Sequence, residues 1–261
     1  MKNFITLGLS ISVLFFSCSE EEEATPLVAG FTVEVTGEAP NAQVMITNNS
    51  TGASTFSWTF SEGANIATSS EESPTALTLD KAGDFTVKLV VSNGTEEEEL
   101  TGTVSVAGHN AIITYTDVAF GLNAEDATYG RLFSLETGKI YKDSEMDGTD
   151  GSIIHLAFGS LGNTMYFFES PTAEGYNVSN ATETKVMNFE STPSISVDNF
   201  DAMTDDSLLS GLTIVEMNDS FGNSSIPGTV LFETSAGRKG VIKTKAVNSD
   251  RLLVDIKAQK Y

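Results

Sequence analysis

The amino-acid sequence predicts an all-β protein of two successive sandwich-like domains, the second carrying one short helix. Three observations carry this expectation. Short segments alternate apolar with polar residues, the period of a strand with one covered face. Clusters of Asn, Ser, Thr, Gly and Pro separate these segments at the near-regular spacing of a sandwich. One stretch, Asp198–Leu212, instead carries a helical apolar stripe of Leu208, Leu209 and Leu212, with Asp201 or Thr204 as its expected cap.

The chain opens on Met1-Lys2-Asn3, a short positively charged start, followed by the apolar run 4–16 (FITLGLSISVLFF). A helix needs about 20 apolar residues to cross a bilayer, so this run has instead the length of a secretory signal. No Ala-x-Ala cleavage site follows it. Leu14-Phe15-Phe16-Ser17-Cys18 resembles the lipobox of bacterial lipoproteins, with a small residue before the cut and a Cys after it. Phe15 stands where that pattern usually has Leu. The resemblance implies a signal peptide over residues 1–17 and a diacylglycerol on the Cys18 sulfur. Several acyl chains anchor stably where one is marginal. Cys18 is the only cysteine, so no intramolecular disulfide forms.

Ser19, Glu20, Glu21, Glu22 and Glu23 follow at once, inside a linker spanning residues 18–27. The run resembles the export signal that sends surface lipoproteins of the Bacteroidetes to the outer leaflet. It also has the composition of a solvated tether. The expected location is the outer membrane, lipid-anchored and facing the outside.

With 36 acidic and 14 basic residues, the formal net charge is −22. Nucleic acid is excluded as an expected partner, because a phosphate backbone rewards Lys and Arg. Adsorption to an anionic membrane surface is disfavoured for the same reason. The acids serve solubility.

The roughly 240 residues after the leader suggest one to two domains, and the pattern indicates two. The first spans residues 28–107. Phe31-Thr-Val33-Glu-Val35 and Val44-Met-Ile46 are its opening strands, and Asn48–Gly52 is a turn. Phe56-Ser-Trp58-Thr-Phe60 puts three aromatics on one face. Lys81–Val91 is a turn leading into a strand, and Thr101–Val106 closes the unit. Trp58, mid-strand between two Phe, is read as core rather than as a sugar platform.

Asn48–Gly52, Phe56–Phe60, Glu72-Ser73-Pro74 and Ala82-Gly83-Asp84-Phe85-Thr86-Val87, in this order and spacing, together resemble a PKD domain. The resemblance implies an immunoglobulin-like sandwich acting as a spacer or protein-contact module. Ser61-Glu62-Gly63 replaces the family's usual Gly-Asp-Gly, which weakens any ion-binding role there.

The second domain spans residues 108–261. Its expected strands are Ala111–Val118, Arg131–Leu135, Ile153–Phe158, Thr164–Glu169, Thr229–Thr234, Val241–Val247 and Leu252–Ala258. Hairpin connections are expected at Ser235–Arg238 and Asn248–Asp250. Around Val241–Val247 the alternation suggests one covered and one wetter face. The segments near Phe133, Ile153 and Phe168 look like modules of unknown function in Bacteroidetes surface lipoproteins, which implies no residue roles.

Nothing in this domain suggests an enzyme. His109 and His155 are its only histidines, no local motif sets either beside a Ser and an acid, and zinc-type clusters are missing. Asp143-Ser-Glu145-Met-Asp147-Gly-Thr-Asp150 places acids at alternate positions before a Gly, as in the first half of a calcium loop. A bidentate Glu at its twelfth position is lacking, and the competing reading is a solvated acidic turn. Asp198, Asp201, Asp205 and Asp206 are read as a charged helix start.

The leading functional expectation is non-catalytic binding of an extracellular polysaccharide, with Tyr129, Tyr141, Tyr166 and Tyr176, and also Phe221, as stacking surfaces. Tyr166-Phe167-Phe168 must send alternate side chains to opposite faces, so at least one is core. The competing expectation is a structural or adhesive protein that binds other surface proteins. Asp206-Ser207-Leu208 resembles the O-glycosylation motif of exported Bacteroidetes proteins.

Overall fold

The computed structural model describes residues 25–123, 128–146, 150–162, 164–176, 178–217, 219–222 and 225–261. The leader, Cys18, the run Ser19–Glu23 and Asp147 lie outside the described residues.

The first seven strands are β1 (Phe31–Thr36), β2 (Ala42–Asn48), β3 (Thr55–Phe60), β4 (Thr68–Ser69), β5 (Leu77–Leu79), β6 (Gly83–Ser92) and β7 (Glu97–Val106). They form two antiparallel sheets, ordered β1-β2-β5 and β4-β3-β6-β7. Period-2 alternation sets the faces. Ala42, Val44 and Ile46 from β2 meet Phe85, Val87, Leu89 and Val91 from β6 in one core. Trp58 is fully buried there, edge-on to Phe31 at 5.4 Å, and its indole N–H donates to the Glu71 carbonyl at 2.9 Å. The short strands β4 and β5 were not anticipated, because two or three residues carry no readable period. Strand β7 starts at Glu97, four residues earlier than the apolar pattern indicated. The Glu97–Glu99 run is its edge, where charge blunts pairing with other chains.

The second group comprises β8 (Ile112–Gly121), β9 (Leu132–Phe133), β10 (Ile140–Tyr141), β11 (Leu156–Leu161), β12 (Met165–Glu169), β13 (Thr184–Met187), β14 (Phe221–Gly222), β15 (Thr229–Thr234), β16 (Lys239–Val247) and β17 (Arg251–Gln259). Two five-stranded antiparallel sheets, β10-β9-β11-β12-β14 and β13-β15-β16-β17-β8, face each other. Phe120, Phe133, Phe158, Phe168, Phe232 and Ile256 fill the space between them. The fold is mostly β, with two short α-helices among the described residues.

Thr229–Thr234 is a strand over the expected residues, and both expected hairpins form. The expected strand from Ile153 instead begins at Leu156. Residues Gly151–Ile153 make a 3-10 turn in which the Ser152 N–H donates to the Asp150 carboxylate and the Gly151 N–H to the Ser179 carbonyl. The covered-and-wet reading of β16 also needs correcting. Ile242 enters the central core while Val241 is equally buried on the other face, under Phe200, Met203 and Leu209. Both faces of that half-strand are covered because the helical segment lies on the sheet.

The helix expected over Asp198–Leu212 is split into α1 (Val197–Ala202) and α2 (Ser207–Ser210), and Ser196 rather than Asp201 or Thr204 caps the first. Two contacts interrupt it. Lys257 Nζ donates to the carbonyls of Phe200 and Met203 at 2.7 and 2.8 Å, and the Asp206 N–H donates to the Asn110 carbonyl at 2.9 Å. Tertiary partners thus take the backbone groups that would have continued the helix.

The domains are joined through several direct bonds. His109 N–H donates to the Ala39 carbonyl and Ala111 N–H to the Asp80 carbonyl. Gly108, at φ +107°, passes so close that a Cβ would stand 2.3 Å from the Ala39 oxygen. The Asp80 carboxylate accepts from Lys260 Nζ and the Tyr261 hydroxyl. The Asp206 carboxylate, buried, accepts from Asn110 N at 2.8 Å, Asn110 Nδ2 at 3.1 Å and Gln259 Nε2 at 2.9 Å. Asn110 Oδ1 in turn accepts from the Ala82 N–H of the first domain at 3.0 Å.

Candidate ligand-binding cleft

The hairpin of β11 and β12 edges a concavity. Its register opposes Leu161 to Met165, Gly159 to Phe167 and Ala157 to Glu169. The pleat therefore sends Tyr166 and Phe168 into the core, each 1% exposed, and turns Met165, Phe167 and Glu169 to the opposite face. There the Phe167 ring lies over Gly159, in the space a Cβ would fill. An aromatic covering a strand glycine recovers packing that the glycine lacks.

A cleft of about 450 Å³ opens beside this ring, lined by Leu161, Phe167, Glu169, Ser170, Asn188 and Glu216 among others. It exists because β14 pairs only with Met165 and Tyr166 and then stops. Beyond it, the Asn188 side chain replaces a strand: its Oδ1 accepts from Phe168 N–H at 2.8 Å and its Nδ2 donates to the Phe168 carbonyl at 2.7 Å. Ser170 is likewise engaged, accepting from the backbone of Thr172 and Thr184. The cleft thus offers a ligand the Phe167 face and the carboxylates of Glu169 and Glu216.

Behind Glu169 lies a charged stack. The Arg131 guanidinium sits over the Tyr176 ring at 4.2 Å. It pairs in a fork with Asp143 and donates to the Gly175 carbonyl at 2.9 Å. The hydrogen bond to Asp143 raises the Arg131 pKa further. The Tyr176 hydroxyl, buried, faces the Glu169 carboxylate without reaching ordinary hydrogen-bond geometry. Burial first, and then that carboxylate, push the phenol pKa far up. Burial also raises Glu169 above the ordinary carboxylate range, against the lowering pull of Tyr176 and Arg131.

The residues singled out in the sequence fall elsewhere. Tyr166 is core, and Tyr176, 8% exposed, lies under Arg131, so neither is a stacking surface. The strand period places Tyr166 inward, and the guanidinium covers the face of Tyr176. Phe221 is also buried, against Tyr166. Tyr129 is half-buried, with the Arg251 guanidinium over its ring at 5.2 Å and donating to its hydroxyl. Tyr141 is half-buried on β10, its hydroxyl 3.2 Å from Thr137 Oγ1. None of these five lines the cleft.

Of the suggested calcium turn, Asp147 lies outside the described residues, and the three described acids each have their own partner. Asp143 is held by Arg131, Glu145 accepts from the Lys142 N–H at 2.9 Å, and Asp150 accepts from the Ser152 N–H at 3.1 Å. Among the described residues no group of three or more His, Cys, Asp and Glu converges as a metal site. His155 is buried, its Nδ1 accepting from the Leu135 N–H at 3.2 Å, and burial lowers its pKa, so it is a neutral packing residue. Asp206 of the suggested glycosylation motif is spent on the domain junction, while Ser207 beside it is exposed.

Phe167, Glu169 and Glu216 were not singled out from the sequence. Alternation in Tyr166-Phe167-Phe168 already separates Phe167 from its neighbours, but the opposing Gly159 that frees its ring is a matter of register.

Residues 21–106 match the family model of the PKD domain, as the landmarks around Trp58 implied. This part of the chain is a non-enzymatic immunoglobulin-like module, and it points to an extracellular adhesive or structural role. No curated protein matches the chain. Among solved structures, that of a DUF4466 family protein from Parabacteroides merdae ATCC 43184 is similar at 11% identity with a TM-score of 0.40, over 90% of this chain and 99% of that one. A likeness of that degree assigns no residue a role.

Proposed function

We propose that this chain is a lipid-anchored, non-catalytic cell-surface protein whose PKD domain is a spacer and whose second domain binds an extracellular glycan. The observation that carries the reading is Phe167, an aromatic ring presented by a rigid hairpin at a cleft edged by two carboxylates. A sugar ring lays its apolar C–H face on such a platform, while its hydroxyls donate to the carboxylates. The cleft volume, about 450 Å³, lies within the usual range for small-molecule sites. The bonded junction supports the spacer role, because it transmits the reach of the first domain to the second. The Leu14–Cys18 segment and the acids behind it support anchoring at the outer face of the outer membrane.

A glycan array probed with residues 25–261, which hold both cores, tests this reading. Binding that Phe167→Ala removes, with or without calcium, is the expected result. A second reading, an adhesive protein that contacts other surface proteins, is favoured by Leu161 and Met165, paired at the hairpin tip and 62% and 40% exposed. A blank array, together with a cross-linked protein partner on intact cells that is lost in Leu161→Glu, would select it.

A further inference from the structure

The charge around the cleft narrows the ligand, given that the cleft binds a glycan. Glu169 and Glu216 are the only charged side chains among its described lining residues. Among the described residues neither forms an ion pair with Lys or Arg. The nearest base behind the cleft, Arg131, is committed to Asp143 and the Gly175 carbonyl and stacked on Tyr176. Glu169 is half-buried and its one neighbouring base is already shared with Asp143, so it still gains from a cation brought to it, and the exposed Glu216 adds a second negative charge. The Phe167 face beside it favours the same sign, because the negative face of an aromatic ring attracts cations. The surrounding net charge of −22 repels polyanions and concentrates cations.

We infer that the cleft takes a glycan bearing a free, protonated amine, that is, an unacetylated hexosamine unit. The amine sits between Glu169 and Glu216, and the sugar ring lies against Phe167. Uronic-acid and sulfated glycans are rejected, since their acids would meet the two carboxylates.

Calorimetric titration of residues 25–261 tests this with four oligosaccharides of matched length and linkage: glucosamine, N-acetylglucosamine, glucose and a uronic acid. The pH is kept low enough to protonate the amine. Glucosamine oligomers should bind about tenfold or more tightly than the acetylated and neutral ones, as charge-assisted bonds are about twice as strong as neutral ones. The uronic acid should not bind. The preference should vanish in Glu169→Gln/Glu216→Gln and survive in Glu97→Gln/Glu98→Gln, a pair on the first domain with the same change of net charge. No preference in the parent chain, or equal loss in both double variants, overturns the inference while leaving the glycan reading standing. Binding of none of the four, with capture of a lysine-rich peptide instead, overturns the glycan reading as well.

Discussion

The Phe167 ring occupies the space above Gly159, its partner on the neighbouring strand: a Cβ there would stand 2.4 Å from Cε2 and 2.5 Å from Cζ of the ring. The platform of the cleft therefore depends on a residue with no side chain. Gly159→Ala should swing the ring away and weaken ligand binding at least tenfold. Because the clash falls on the far end of a side chain, overpacking should cost only about 1–2 kcal/mol. Titration beside a thermal melt separates the two effects, and unchanged affinity would remove Phe167 from the site.

Two adjacent aromatics should behave oppositely. Tyr166→Ala removes a fully buried ring from the central core and should cost about 3–5 kcal/mol. Phe167→Ala, on the other face, should lower stability far less while abolishing binding. Denaturant midpoints for the two variants check this.

Asp206 ties three donors together in a buried place. Asp206→Ala leaves those N–H groups unsatisfied and should cost about 2–4 kcal/mol. Trp58 is the only Trp and lies in the first domain, so its fluorescence follows that domain alone, whereas circular dichroism follows both. The variant should lower the dichroism transition and leave the fluorescence transition nearly in place. Asp80→Ala, which loses the exposed Lys260 contact and the half-buried Tyr261 one, should cost about 1 kcal/mol.

Asp255 is buried between Lys243 at 3.4 Å and Lys245 at 3.0 Å and accepts the Asp117 N–H at 2.9 Å. Burial alone would raise its pKa, but the Asp117 N–H and the two lysines together hold it below the ordinary value. A depressed carboxyl contributes stability that is fully present above its unfolded pKa of about 3.9 and lost as pH falls through the folded value. The melting temperature of the second domain should therefore drop below about pH 4, and the drop should be shallower in Asp255→Asn. At pH 7, Asp255→Ala should cost about 1–2 kcal/mol, chiefly from the Asp117 N–H left without its acceptor, since Lys243 and Lys245 keep Asp201 and Asp117 as partners. An unchanged acid limb in Asp255→Asn would move the acid sensitivity elsewhere.

Trp58→Ala should unfold the first domain more readily than any surface change, by about 3–5 kcal/mol. Trp58→Phe should cost less, since the core contact with Phe31 is retained and only the bond to the Glu71 carbonyl is lost. Chemical denaturation of both variants tests the order.

Alternation was enough to place Trp58 of Phe56–Phe60 inside a sandwich and to make Lys81–Val91 a turn leading into a strand, because a strand's faces are decided by period alone. The same rule placed Thr229–Thr234, and it stated that Tyr166, Phe167 and Phe168 cannot share a face. Strands of two to four residues, such as Ile140–Tyr141, Thr184–Met187 and Phe221–Gly222, were not legible, since they are held by neighbours rather than by their own pattern. The helix over Asp198–Leu212 had a local stripe but lost its continuity to Lys257 and Asn110, both distant in sequence.

The candidate site shows the same division. The sequence by itself determined the strand-rich fold, the sandwich around Trp58 and the opposed faces of Tyr166 and Phe167, all of which follow from period and local composition. Only the tertiary structure decided that Gly159 stands opposite Phe167, that Arg131 covers Tyr176 and consumes Asp143, and that Glu169 and Glu216 meet at one cleft. Those outcomes depend on strand register and on partners up to tens of residues away. A shift of register by one residue would exchange every inward and outward side chain without altering the local pattern.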